Sequence, residues 1–554
     1  MRVSKTSNGL KVNAVAGTYV VVLGFNFPKT KCKGLLGFSV HRTDHTENES
    51  YYLEGIKAFA ETDPGFPSGT MYSTKDHPVQ SFQWADYSAK PGYKYTYTVT
   101  ALKGNPQNLM PIAVTSVIVT TESPETGDHD IYFNRGSAAS QEYMRRFGDK
   151  SPKDVPNDKA FEWLSRGLYE ALENFIKSCK PGKHSLRIAA YEFNFVKILN
   201  LIKQVKDTGV DIEVVYDARK PSPGKINVEM VEHLGLTDFC TPRKEGKSYI
   251  SHNKFIVKLE GQNKKPVSVW TGGVNFSDGG IYGHSNVAHV VEDPVIAKLY
   301  LDYWNELKAD QKNPPLKTVV ETLTPLPAIP IPKGTSVLFS PRKNLNALDF
   351  YAKLATNAKD GLFMTFAFGM NKIFRDVYEN STAPMRLALM EKKTRPMEDG
   401  PAKDAEEKFI DDLRRKVENV FAIGDFVRTN EFDGWVKERL TGLNTNVRYI
   451  HNKFMLVDPL SNDPIVIAGS ANFSAASTED NDENMLIIRG NKRVADIYLG
   501  EYMRLFSHFS FRETLKWRKP DEAPKPLRTD EWWQDNFGST PRSSRRKFFA
   551  QVTS

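Results

Sequence analysis

The stretch 251-SHNKFIVKL-259 returns later in the chain as 450-IHNKFMLVD-458. Three further blocks return in the same order. TGGVNFS at 271–277 is answered by AGSANFS at 468–474, HSNVAHVV at 284–291 by DENMLIIR at 482–489, and IAKLYLDYW at 296–304 by VADIYLGEYM at 494–503. The offset stays near 198 residues through all four blocks. Chance similarity does not hold register across four separate blocks, so the chain contains an internal duplication. In each copy the alternation of an extended strand puts His252 with Lys254, and His451 with Lys453, on one face.

Working outward, the residues before the first motif alternate between helix and strand patterns. FEWLSRGLYEALENFIKSC (161–179) has apolar residues at helical spacing, and LRIAAYEF (186–193) reads as a buried strand. VKILNLIKQVKDTG (196–209) reads as a helix with Gly209 at its C-cap, and VDIEVVYDAR (210–219) as a strand. The order β-α-β implies an α/β layered fold with a largely parallel sheet. The pattern starts again at VLFSPRKNLNALDFYAKL (337–354), which parallels IYFNRGSAASQEYMRRF (131–147). Between the copies, PPLKTVVETLTPLPAIPIPKG (314–334) is proline-rich and reads as an extended surface connector. The second copy carries extra Lys, Glu and Asp around 394–440, read as a surface helix plus a loop.

The first 125 residues look different. GTYVVVLGF, SFQWADY and TSVIVTT are short β-type runs separated by Gly, Pro and Asp. In YKYTYTVTAL (93–102), Tyr93, Tyr95, Tyr97 and Val99 alternate with polar residues, and Pro91-Gly92 marks a turn just before. This run resembles a late strand of a fibronectin type III sandwich. The expected architecture is therefore multidomain: an N-terminal β-sandwich followed by a duplicated α/β layered fold. The domains are 1–125, a first repeat at 126–315, a second at 316–515 and a tail at 516–554. The polar stretch TTESPETGDHD (120–130) should carry few contacts across it, making the β domain separable. The tail contains Trp532, Trp533 and the run Arg545, Arg546, Lys547, Phe548, Phe549. Its aromatics are expected to strap it across the duplicated repeats, the alternative being contact with an anionic surface.

Composition narrows the classes. The chain has 554 residues, too many for one ordinary core, and a formal net charge of +8. That balance suits anionic partners such as lipid head groups or nucleic acid without choosing between them. Three widely spaced cysteines, Cys32, Cys179 and Cys240, argue against a disulfide framework or a zinc site. No run reaches the roughly 18 apolar residues of a spanning helix, and the N-terminal apolar run reads as a strand rather than a signal core. The expectation is a cytoplasmic protein, or one exported without a cleavable signal peptide.

An H-x-K triplet followed some twenty residues later by G-[GS]-x-N-F-S, present twice, resembles the phospholipase D superfamily. One triplet alone would mean little. Two in matching local context are specific. The resemblance implies a duplicated α/β/α fold with pseudo-two-fold symmetry and one shared site, with His252, Lys254 and Asn275 from one half and His451, Lys453 and Asn472 from the other. It implies a metal-free, cofactor-free phosphodiesterase in which a neutral imidazole attacks phosphorus to form a phosphohistidine. A second imidazole would protonate the leaving oxygen, while lysines and amides stabilise the phosphoryl oxygens. The small residues beside the asparagines, notably Gly273 and Ser470, would let the backbone approach the bound anion.

Two departures from the family pattern matter. The family carries an aspartate five positions after the lysine. Asp458 fits, but Leu259 stands there in the first half, followed by Glu260. The family also orients each histidine with an acid after the asparagine motif. Glu483 fits, and the matching position in the first half reads as Ser285, beside His284. If Glu483 acts across the pseudo-dyad on His252, then His252 is the nucleophile and His451 the acid. The expected activity is phospholipase D hydrolysis of head groups, with transfer to an alcohol as the related reaction. A metal-independent nuclease is the alternative, favoured by the N-F-S endings and the basic charge. A monomer is expected, because both half-sites lie in one chain, with a phospholipid surface as partner and nucleic acid as the other option.

Overall fold

The computed structural model describes residues 1–63, 70–148, 150–219, 221–246, 249–395, 397–424, 450–515 and 525–552. The N-terminal region forms two four-stranded antiparallel sheets. One orders the strands Arg2–Ser7, Leu10–Ala16, Val21–Asn26 and Gln83–Asp86. The other orders Asn108–Thr120, Lys94–Asn105, Gly37–Asp44 and Glu49–Tyr52. The alternation in 93–102 has the expected meaning: Tyr95, Tyr97 and Val99 are buried, while Thr96, Thr98 and Thr100 are partly exposed. Arg42 of one sheet pairs with Asp86 of the other at 3.0 Å, and Tyr97 donates to the same carboxylate at 2.8 Å.

Each repeat then builds its own mixed sheet. The first orders seven strands as His129–Phe133, Val287–Val291, Lys265–Gly272, Lys254–Glu260, His184–Ala190, Asp211–Asp217 and Cys240–Arg243, with Glu125–Thr126 added at the edge. The second orders Gly334–Ser340, Glu483–Arg489, Ile465–Gly469, Phe454–Val457, Leu362–Phe366, Arg386–Met390 and Asn419–Ile423. The two orders match strand for strand, as a duplication requires. The sheets are not largely parallel. Only the last three strands of each run parallel to one another. Lys254–Glu260 and Lys265–Gly272 form a hairpin joined by a short turn, and a tight connection forces antiparallel pairing.

One large buried cluster joins the copies. It includes Phe255 and Val257 of the first motif strand, Phe454 and Leu456 of the second, and Tyr300, Tyr303, Trp304, Tyr498 and Tyr502 from the helices Pro294–Lys308 and Lys492–Leu515. Burying such side chains contributes roughly 1.5–3 kcal/mol each. Val15, Val20 and Val22 of the N-terminal region belong to the same cluster.

The N-terminal domain is accordingly not a loosely tethered unit. Arg2 pairs with Asp496 at 2.7 Å and donates to the carbonyl of Leu460 at 2.7 Å. Arg493 pairs with Glu122 at 3.5 Å and donates to the carbonyl of His129 at 2.8 Å, so the boundary stretch is held down from the second repeat. Arg166 of the first repeat lies over the Tyr19 ring and pairs with Glu501, buried, at 2.9 Å. Removing one member of such a buried pair typically costs about 3–5 kcal/mol.

Two further expectations change. The proline-rich connector begins as a helix, Asn313–Leu323, with Pro314 and Pro315 in the first turn, where no N–H donor is needed, and with Leu316 and Val320 buried. The tail straps the N-terminal sheets as well as the catalytic repeats. Trp532 and Trp533 sit in the core of the β domain, and Trp532 donates to the carbonyl of Leu35 at 2.7 Å. Phe549 packs on Gly24, where an added Cβ would lie 2.2 Å from the Phe549 backbone. Phe548 meets Phe363 of the second repeat at 5.3 Å. Arg546 is buried and donates to the carbonyl of Asn536 at 2.8 Å, which commits it to packing. The extra segment of the second repeat supplies the helix Pro401–Arg414, while its continuation at 425–449 lies outside the described residues, as does 516–524 of the tail. Cys32, Cys179 and Cys240 are buried free thiols. Among the described residues no helix is long and apolar enough to cross a membrane.

Candidate active site

Each H-x-K triplet leads into a central strand at the end where the parallel strands finish. Lys254 opens the strand Lys254–Glu260 and its ammonium donates back to the carbonyl of His252. Lys453 donates in the same way to the carbonyl of His451 at 2.6 Å. The chain before each histidine is held by a carboxylate at the end of a parallel strand. Ser251 N donates to Asp217 at 3.1 Å, and Ile450 N donates to Glu391 at 2.8 Å.

Gly272 and Gly469 are set by backbone crowding. A Cβ on Gly272 would lie 2.3 Å from the carbonyl oxygen of Val287, and one on Gly469 would lie 2.1 Å from that of Asn484. Asn275 and Asn472 follow these close approaches, and the Oδ1 atoms of both are buried without a hydrogen-bond partner among the described residues.

The two halves interlock. Ser285 bridges Ile450, just before His451. Asp482 N donates to the carbonyl of Ile250, close before His252. This exchange puts each histidine against a side chain of the other repeat. His252 Nδ1 meets Glu483 Oε2 at 2.8 Å. A carboxylate only accepts, so Nδ1 carries a proton and Nε2 of the neutral ring keeps its lone pair. His451 Nδ1 meets Asn286 Oδ1, also at 2.8 Å. Asn286 Nδ2 donates to the carbonyl of Gly280 at 2.7 Å, which turns the amide oxygen toward His451.

The counterpart of Glu483 is therefore Asn286, not Ser285. Gly272 pairs with Ala288 and Gly469 with Met485, so the repeats run at an offset of 197 here. Ungapped comparison of 284–291 with 482–489 hides this one-residue slip. Ser285 Oγ instead accepts from the backbone N of His451 at 3.4 Å. Ser470 is fully buried, its hydroxyl accepting from Asn484 N at 3.0 Å. A Cβ on Gly273 would come within 3.0 Å of Asn286 Oδ1, so its small size protects the contact with His451. Asp458 accepts from the backbone N–H of Asp360 at 2.7 Å and of Gly361 at 2.9 Å. It holds a turn, and buried Leu259 replaces that function with packing.

The site is buried and gathers two lysines and two histidines around the carboxylate of Glu483. Burial lowers the His252 pKa to about 4, with Glu483 opposing the shift and Lys254 adding to it. Burial lowers the Lys254 pKa to about 7, opposed by Glu483, Glu192 and Asp217. His451 falls well below the ordinary imidazole range through burial, then through Lys453, His284, Lys254 and His252. Lys453 falls well below its usual range through burial and the charge of Lys254. Lysines from both repeats thus act on one another and on both histidines. Tyr191 packs on His252 with ring centroids 4.8 Å apart, and Lys254 Nζ lies 4.8 Å from the same ring. Tyr191, Asp217 and Glu391 lie outside the repeated motifs, while Asn286 lies inside the third repeated block and is hidden there by the one-residue slip. The signal of the first three in the sequence is position only, at the ends of strands beside the motif strands. Among the described residues no group of three His, Cys, Asp or Glu side chains could hold a metal ion.

Two half-sites of His and Lys, brought together by an internal duplication, define a phosphodiester-handling protein. The chain belongs to the phospholipase D superfamily: the family model described as cardiolipin synthase, PLD-like domain, matches residues 172–308 and 357–505. Neither segment reaches the N-terminal β domain. No curated protein matches the sequence significantly. Among solved structures, phosphatidylserine synthase of Haemophilus influenzae is 12% identical with a TM-score of 0.42, covering 62% of this chain and 85% of that one. Polyphosphate kinase of Porphyromonas gingivalis is 10% identical with a TM-score of 0.42, covering 65% of this chain and half (50%) of that one. The phospholipase D family member Nuc of Salmonella typhimurium is 24% identical with a TM-score of 0.21, covering 25% of this chain and 84% of that one.

Proposed function

We propose that this superfamily phosphodiesterase works through a covalent phosphohistidine on His252 and that its substrate is a phospholipid. The observation that carries the mechanism is the unequal pairing of the two histidines, Glu483 on His252 and Asn286 on His451. His252 Nε2 attacks phosphorus, and the carboxylate on Nδ1 supports the positive charge that the ring gains. The bond to the leaving oxygen breaks, and that oxygen takes a proton from His451. His451 has no carboxylate partner and basic neighbours, so its protonated form gives the proton up readily. Water, or another alcohol, then loses a proton to His451 and attacks the phosphorus, which restores His252. Lys254, Lys453, Asn275 and Asn472 hold the non-bridging oxygens. Both half-sites come from one chain, so a monomer suffices.

Phospholipid is favoured over nucleic acid by the family's description as cardiolipin synthase and by the surface of the β domain. Met110, Ile112, Val114 and Ile118 lie at two- or four-residue spacing on one strand and are 51%, 38%, 42% and 51% exposed. An apolar row of this kind suits a lipid surface. The deciding experiment assays one preparation in parallel on phosphatidylcholine vesicles and on single- and double-stranded DNA, in excess chelator. Lipid turnover unaffected by chelator is expected. Cleavage of DNA alone would replace lipid by nucleic acid. Complete loss in chelator, restored by one divalent ion, would remove the metal-free mechanism.

The depressed lysine also makes a prediction. Lys254 must be charged to hold an anion, and it loses its proton as pH rises through about 7. Sulfate keeps its charge across this range. Its affinity, measured by calorimetry, should fall as pH rises through about 7, and Lys254→Met should flatten that fall. An affinity independent of pH in the intact protein would show that Lys254 does not titrate there.

A further inference from the structure

His284 takes no part in the two repeated triads, yet it stands in the site. Its ring centroid lies 5.1 Å from that of His451. It is only 6% exposed, and neither ring nitrogen has a hydrogen-bond partner among the described residues. Buried imidazole nitrogens are normally paired, so two left unpaired beside His451 point to a ligand.

The backbone around His284 is pinned. Asn134 Nδ2 donates to the His284 carbonyl at 2.7 Å, and Asn134 Oδ1 accepts from Asn286 N at 2.9 Å. His284 N donates to the Gly279 carbonyl at 2.8 Å. Gly136, with φ 53°, packs so closely that a Cβ there would lie 2.7 Å from Ser285 Cα. The ring is therefore placed by the fold.

His284 also breaks the pseudo-dyad. At the local offset of 197 its counterpart is Asn481, whose Oδ1 accepts from Ile250 N at 3.4 Å. One end of the site has a spare imidazole where the other has an amide already engaged.

We propose that His284 is a third active-site histidine, a neutral hydrogen-bond donor to the leaving-group oxygen that His451 protonates. This rests on the reading of His451 as the acid. The leaving oxygen gains negative charge as its bond to phosphorus breaks and can accept more than one hydrogen bond. A neutral donor stabilises that charge without adding a second proton to the balance. Burial, and then Lys453, push the His284 pKa down to about 3, which keeps the ring neutral and one nitrogen protonated.

The test uses the full chain and aryl phosphodiesters that share one retained group and differ in the acidity of the leaving phenol. Intact protein, His284→Ala, His284→Gln and His284→Phe are compared. For His284→Ala, kcat/KM is expected to fall less than about 3-fold with a p-nitrophenol leaving group and about 10- to 100-fold with unsubstituted phenol, within the span of acid and hydrogen-bond effects. His284→Gln, which keeps a donor, should recover part of the loss, and His284→Phe, which keeps the bulk of the ring and removes the donor, carries the test if the alanine variant does not fold. An equal loss across the series, or none, overturns the proposal while leaving the phosphohistidine reading intact. Failure of the intact protein to cleave any of the series, with His252→Ala equally silent, overturns the proposed function and this inference together.

Discussion

His252→Ala should abolish turnover, by a factor on the order of 10⁴–10⁶, and no covalent phosphoryl-enzyme should form. The magnitude follows from the shared site. Each repeat supplies one histidine, and each histidine is held by a side chain of the other repeat, so no half can work alone. His451→Ala should be equally damaging with an alkyl leaving group, which needs a proton. With p-nitrophenol as leaving group, the first step needs none and can still proceed. The second step cannot, because no base activates water, so phosphohistidine should accumulate on His252. Rapid acid quench followed by mapping of the phosphorylated peptide reads this directly. Label on the peptide containing His451 would reverse the two roles. Residual activities near one half in each single variant would refute the shared site.

The duplication was legible because it is written in residues whose chemistry and spacing are both constrained. Gly272 and Gly469 recur because a Cβ has no room, and the H-x-K triplets recur at the mouths of equivalent central strands. The partner of His451 was not legible. Ungapped comparison aligns Glu483 with Ser285, and only strand pairing exposes the one-residue slip that brings Asn286 into place. Sheet direction was misread for a related reason. Helix-strand alternation describes the first strands of each repeat, but the motif strands come as hairpins whose turns fix antiparallel pairing. The hold of the β domain was invisible for another. Arg2, Arg493 and Trp532 make their contacts hundreds of residues away, and no local pattern encodes such distances.

Glu483→Gln should lower the rate about 10- to 1,000-fold, the span of acid-base and orienting effects. The reasoning separates two things a carboxylate does for an imidazole. It orients the ring, and a glutamine can still accept from Nδ1. It also stabilises positive charge, and a glutamine cannot. Glu483 opposes the burial that lowers the His252 pKa to about 4, so its loss moves that value further down. His252 is then neutral across the physiological range before and after the change. The loss in rate cannot come from a smaller neutral fraction. It must come from a weaker nucleophile and a less stable cationic phosphohistidine, so it should be independent of pH above about 5, where the ring is already neutral in both forms. Asn286→Asp runs the other way. It brings a carboxylate to the ring nitrogen that now meets an amide at 2.8 Å, and an opposite charge so close typically raises a pKa by about 1–3 units. The limb of the pH–rate profile that reports loss of the proton from His451 should move to higher pH by about that amount. Ser285→Ala leaves both the Glu483–His252 and the Asn286–His451 contacts in place and should cost much less than Glu483→Gln. Full activity in Glu483→Gln, or a loss that appears only on the acid side, would mean that the carboxylate does not act on the nucleophile.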